Sequence, residues 1–114
     1  MAQRQKTNIN VYQGDDRDYK FTLTANGSPF NMSGATNVTL SVKQNITDAS
    51  PLFECTATDN QNGNSFSTGI LIFSITKAQS LLLVRNGVYE VRLTLNSKDK
   101  TVVFGDINLQ LQVA

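Results

Sequence analysis

Apolar residues recur at every second position along most of this chain. "NINVY" (8–12) sets Ile9 and Val11 on one face. "YKFTLT" (19–24) sets Tyr19, Phe21 and Leu23 against Lys20, Thr22 and Thr24. "VTLSVK" (38–43) alternates through Val38, Leu40 and Val42, and "LFECTAT" (52–58) through Phe53, Cys55 and Ala57. "VYEVRLTL" (88–95) and "INLQLQV" (107–113) alternate most cleanly, with Tyr89, Val91, Leu93 and Leu95 inward in the first. "TVVF" (101–104) begins the last hairpin or strand, with an interruption expected near Gly105. Period two marks half-buried strands, and one wet face per strand marks antiparallel sheets. Asn26-Gly27, Asn62-Gly63 and Asn86-Gly87 supply turns. "DNQNGNS" (59–65) and "NSKDK" (96–100) read as exposed tips.

Two stretches depart from the alternation. "GILIFSI" (69–75) is apolar on both faces. Such a strand is either covered on both sides or offers a protein contact, which makes Leu71 and Phe73 candidate interface residues. In "TKAQSLLLV" (76–84), Thr76 fits an N-cap, and Asn86-Gly87 fits a C-terminal stop. One or two helical turns are expected there; a buried strand competes, because periodicity cannot arbitrate so short a run.

Several short strands spaced by turns make an all-β sandwich or barrel. Tyr89 follows a turn at the start of a strand, where a tyrosine corner sits in Ig-like sandwiches. The position two residues on is Val91, where antibody domains carry Cys. The expected fold is therefore an antiparallel Ig-like β-sandwich held by packing alone, with a short helical turn near 76–84. The expected organisation is a flexible arm over 1–7 and a single domain over 8–114. "ANGSPFNMSGAT" (25–36) is full of breakers, yet Phe30 and Met32 lie two apart in its middle. Pro29 holds the segment extended, so both are expected to plug an open end of the sandwich.

Composition narrows the function. The chain has 114 residues, enough for one domain, either a complete small protein or one excised domain. Net charge is +1, which gives no footprint for nucleic acid. Arg4 and Lys6 near the start have no acidic neighbour; they are either a frayed terminus or a docking arm. Cys55 is the only cysteine, so no intrachain disulfide is expected. No apolar h-region follows Arg4 and Lys6, and no run is long enough to span a membrane. Synthesis in a reducing cytoplasm is expected, and the N-x-S/T sequons at Asn26, Asn31, Asn37 and Asn45 read as accidents of composition.

Chemistry is sparse. Without histidine, imidazole bases and histidine triads are excluded. Cys55, on the apolar side of a strand, reads as a buried residue rather than a nucleophile. "GDDRD" (14–18) lacks the alternating ligands and later Glu of a calcium loop. It reads as a turn, with Asp16 and Asp18 forming weak exposed pairs around Arg17. No catalytic residue, cofactor site or metal site is expected.

The stretch "VYQGDDRDYKFTLTANGSPFNMSGATNVTLSVK" (11–43) resembles phage baseplate upper protein N-terminal domains and related phage tail Ig-like modules. The resemblance lies in Gly14-Asp15, Phe21, Leu23, Asn26-Gly27, Pro29-Phe30, Met32 and Ser33-Gly34-Ala35, and later in "GVYEVRLTL" (87–95) and "INLQLQV" (107–113). It implies a non-enzymatic virion part of the tail, baseplate or head. Such a part is made in the host bacterial cytoplasm and docks on other virion proteins or on copies of itself, as a homo-oligomer. A glycan- or cell-surface-binding module, with loop 59–65 as reader, is the rival reading. An enzyme using scattered carboxylates is the weakest of the three.

Overall fold

Each period-two stretch folds as a strand in the computed structural model, which describes residues 5–25 and 27–110. In chain order these are β1 (Gln5–Lys6), β2 (Ile9–Tyr12), β3 (Arg17–Thr22), β4 (Thr24–Ala25), β5 (Ser28–Pro29), β6 (Thr36–Lys43) and β7 (Phe53–Thr56). They continue with β8 (Ile70–Ile75), β9 (Gly87–Leu95) and β10 (Lys98–Gln110). A 3-10 turn (Phe66–Thr68) precedes β8, and one helical turn, α1 (Lys77–Ser80), follows it. The larger sheet runs β1-β10-β9-β6-β7, with β2 continuing β1 beside β10; β3 and β8 form the second sheet. A core pair of strands facing a sheet built on β6, β9 and β10 is the arrangement of an Ig-like sandwich.

The inward residues meet between the sheets. Leu40, Val42, Val91, Val103 and Ile107 of the larger sheet are fully buried, as are Leu71 and Phe73 of β8. Phe21 joins the layers: its ring lies 6.1 Å from that of Phe73 and 5.9 Å from that of Tyr89. Edge-to-face and tilted aromatic contacts of this kind add to simple burial.

The structure corrects several expectations. The N-terminal arm is not wholly free, because Gln5 and Lys6 pair with Val103 and Phe104, in parallel rather than antiparallel register. Residues 1–4, and with them Arg4, lie outside the described residues, as do Asn26 and 111–114. β10 is not interrupted at Gly105. Instead Gly105 marks the place where the chain at Thr7 and Asn8 crosses it, for a Cβ there would stand 2.0 Å from the Thr7 carbonyl oxygen. The irregularity in β10 lies between Thr101 and Val103. Tyr89 is buried at the start of β9, but its hydroxyl donates to the Thr7 carbonyl, not to a neighbouring upstream residue. It ties the first strand to the core instead of closing a tyrosine corner.

Leu71 and Phe73 are core residues and cannot serve as an interface, because odd positions of β8 point between the sheets. The other side of β8 carries Ile70 and Ile72, and loop 59–65 folds back over it. Asn64 is buried; its side-chain Oδ1 accepts from Ile72 N at 2.7 Å, and Ser65 bridges to Ile70. Gly63 sits directly on Ile72. The polar loop is therefore not a free tip. It protects the edge of a two-stranded sheet that would otherwise invite pairing.

Candidate functional site

The segment from Thr76 to Asn86 crosses one end of the sandwich. Its first turn carries a full capping box: Thr76 Oγ1 accepts from Gln79 N, and the Gln79 side chain accepts from Thr76 N at 3.0 Å. The turn between β2 and β3 grips it from below. Asp16 Oδ1 accepts from Lys77 N at 2.5 Å, and the buried Ser80 hydroxyl accepts from Gly14 N at 2.9 Å. Gln13 donates to the Leu83 carbonyl at 3.3 Å.

Past the helical turn a second side chain holds the backbone at three points. Gln44, just beyond β6, donates to the carbonyls of Arg85 and Asn86 at 2.9 and 2.8 Å. Its carbonyl oxygen accepts from Val84 N at 3.1 Å. Asn86 Oδ1 in turn accepts from Leu109 N at 2.8 Å. Only Leu83 of the apolar run reaches the core. Leu81, Leu82 and Val84 keep 45%, 49% and 66% of their surface exposed. Three large apolar side chains thus stand in solvent on a backbone fastened at both ends.

The remaining singled-out residues fall elsewhere. Met32 is fully buried at the opposite end of the sandwich, and Phe30 is half-buried against the same core. Val91 is a central core residue. Lys6 is exposed on the edge side of the larger sheet. Arg17 pairs with Asp15 at 3.3 Å and lies 3.9 Å over the Tyr12 ring. Asp16 and Asp18 do not flank it as partners; Asp18 accepts from the Ser74 hydroxyl at 2.5 Å instead. Leu81, Leu82, Val84 and the clamp Gln44 escaped the sequence reading. The available signal was geometric: four consecutive apolar residues just past a single helical turn cannot all point to one face.

Burial favours the protonated form of three side chains, Cys55, Tyr89 and Tyr19. Burial pushes the Cys55 thiol up to about 11, and its Sγ lies 3.7 Å from the Gln79 side-chain oxygen. Burial also raises Tyr89, and raises Tyr19, where Arg17 partly opposes it. Among the described residues no group of three His, Cys, Asp or Glu side chains could hold a metal ion, and no helix is long and apolar enough to cross a membrane.

No family model and no curated protein matches the chain. Among solved structures, the titin M3 domain is similar over 96% of this chain and 95% of that one, at 11% identity and a TM-score of 0.45.

Proposed function

We propose that this domain is a non-enzymatic docking module of a bacteriophage virion, a tail, baseplate or accessory head part that binds neighbouring proteins in a symmetric assembly. The observation that carries the docking reading is the fastened apolar shelf of Leu81, Leu82 and Val84. Exposed apolar groups on a flexible loop would lose conformational freedom on binding. Here that ordering is already done by the capping box, Asp16, Ser80 and Gln44. The virion assignment rests on the resemblance of the turns and core positions in 11–43 to those of phage baseplate and tail domains.

The experiment pairs folding with assembly. The triple variant Leu81→Ser, Leu82→Ser, Val84→Ser is expected to keep its circular dichroism spectrum and melting temperature. It is expected to fail to enter phage particles when supplied in place of the parent protein, whereas the parent is labelled by antibody on purified particles. Parent protein absent from particles would sink the virion reading. Full incorporation of the triple variant would sink the shelf as the docking site.

A further inference from the structure

The outer face of the larger sheet carries charges arranged in rows by cross-strand register. One row reads Asp106, Val88, Lys43 across β10, β9 and β6. The next reads Lys6, Phe104, Glu90, Ser41, Glu54 across β1, β10, β9, β6 and β7. A third sets Arg92 between Thr101 and Thr39. The one ion pair among the described residues is Arg17 with Asp15, on another part of the surface. Lys6, Lys43, Glu90, Arg92 and Asp106 therefore have no ion-pair partner among them. Between these charges, Ile46, Val88 and Phe104 line a shallow depression of about 480 Å³. Ile46 is 78% exposed.

Away from β9 itself, the charges of the first two rows are antisymmetric about it. One strand out, Asp106 on one side mirrors Lys43 on the other. Two strands out, Lys6 mirrors Glu54. A two-fold axis along β9, between two facing sheets, converts this antisymmetry into complementarity. Asp106 of each copy meets Lys43 of the other, and Lys6 of each meets Glu54 of the other. Val88 meets its own counterpart. Glu90 and Arg92 lie on the axis about 6.8 Å apart along the strand; each faces its own counterpart there and meets the opposite charge only on the diagonal, so the complementarity is carried by the pairs off the axis. A patch that complements itself under a two-fold axis is what an isologous dimer needs.

We infer that a second copy of this chain docks face to face on the outer side of the larger sheet, about a two-fold axis along β9. This rests on the docking reading in naming a second copy as partner, but it uses a different surface and leaves the shelf at 81–84 free. Five strands and the outward rows from Val88 to Thr94 span roughly 24 by 20 Å. That is at the small end for specific interfaces, so the dimer is weak and weakens further with salt.

Sedimentation velocity over a concentration series to the millimolar range, at low and high salt, tests it. The parent chain is expected to dimerise at low salt. Lys43→Glu and Asp106→Lys are each expected to weaken self-association about tenfold or more, since like charges then meet at two places. An equimolar mixture of the two variants is expected to associate within about threefold of the parent, because both contacts are again between opposite charges. Circular dichroism confirms folding; if either variant misfolds, Lys6→Glu and Glu54→Lys form the equivalent pair. A parent that stays monomeric, single variants that associate normally, or a folded mixture that stays apart would each overturn the proposal. Virion incorporation is read on the same charge variants. A parent chain that enters particles yet stays monomeric removes this inference alone, while loss of incorporation in the shelf variant bears on docking.

Discussion

Two segments of this protein trade places between what they look like and what they do. Residues 25–36 look like loop and supply core; residues 76–86 look like core and supply surface. The first is rich in Asn, Gly, Ser and Pro, yet Met32 within it is fully buried. The second holds Leu81, Leu82, Leu83 and Val84 in a row, yet only Leu83 is buried. The difference lies in how each backbone is tied. Met32 N donates to the Phe66 carbonyl at 2.8 Å, and Phe30 N donates to the Leu23 carbonyl at 3.0 Å. These bonds lay the segment across the open end of the sandwich as an extended strip, and one side chain drops in. The second segment is fastened outward by a capping box and by Gln44, which fixes a turn too short to bury its whole run.

The comparison breaks first at Met32. Met32→Ala is expected to cost about 3 kcal/mol, in the range for large-to-small changes at fully buried sites. That lowers the melting temperature by roughly 4 °C or more per kcal/mol. A shift of a degree or two would show that the strip is ordinary loop. Phe30→Ala comes next, at about 1–2 kcal/mol, because a half-buried ring loses less than a buried one. A larger loss at Phe30 than at Met32 would reverse the assignment of the plug.

The capping box sharpens the other half. Thr76→Ala removes the acceptor for Gln79 N and is expected to cost about 1 kcal/mol. Cys55 reports on it, because its thiol lies against the Gln79 side chain. In the parent protein, modification of Cys55 by a thiol reagent near neutral pH is expected to be slow and limited by opening. Thr76→Ala is expected to speed it several-fold without exposing the thiol fully. A Cys55 that reacts at the rate of an unfolded control in both proteins would remove the packing argument. The pH dependence has a definite sign. The folded thiol titrates near 11, above its ordinary value, so between the two values the folded state holds the proton more tightly. Stability from this group is intact below the ordinary thiol range and declines as pH rises from about 9 toward about 11. Burial of Tyr89 acts in the same direction at still higher pH.

The sandwich itself was legible because alternation reports directly on a two-faced sheet. Tyr89, Val91, Leu93 and Ile107 point inward as their spacing requires. Thr76 as an N-cap was legible too, since the competing hydrogen bonds are local. Four things were not. The parallel pairing of residues 5–6 with β10 rests on a long-range contact, sealed by Tyr89 reaching Thr7. The burial of Asn64 rests on an unpaired edge of β8, which no local pattern announces. The inward direction of Leu71 and Phe73 is not legible because a two-sided apolar strand leaves its covering element unnamed, and that cover is the polar loop above Ile72. The exposed shelf at 81–84 was hidden for a related reason: an apolar run carries no mark of which member is left outside.

The smallest expected effect on stability is also the one that separates the two segments most cleanly. Leu81→Ser, Leu82→Ser and Val84→Ser together remove three large apolar side chains, and at buried sites such a set would unfold a domain of this size. On the shelf each already keeps about half or more of its surface in water, so the combined change is expected to stay within about 1 kcal/mol. The capping box at Thr76 and Gln79 is untouched, and Leu81, the C-cap residue, caps through its backbone N–H, which serine keeps. Binding of a hydrophobic dye to the native protein should fall, because the exposed apolar surface is what such a dye reads. A cooperative loss of several kcal/mol would mean that these residues pack in solution as Met32 does. The contrast between a loop that plugs and a run that protrudes would then fail. An unchanged melt with diminished dye binding would make the exposure of 81–84 a property tolerated by the fold at no structural gain, which is the condition expected of a surface kept for a partner.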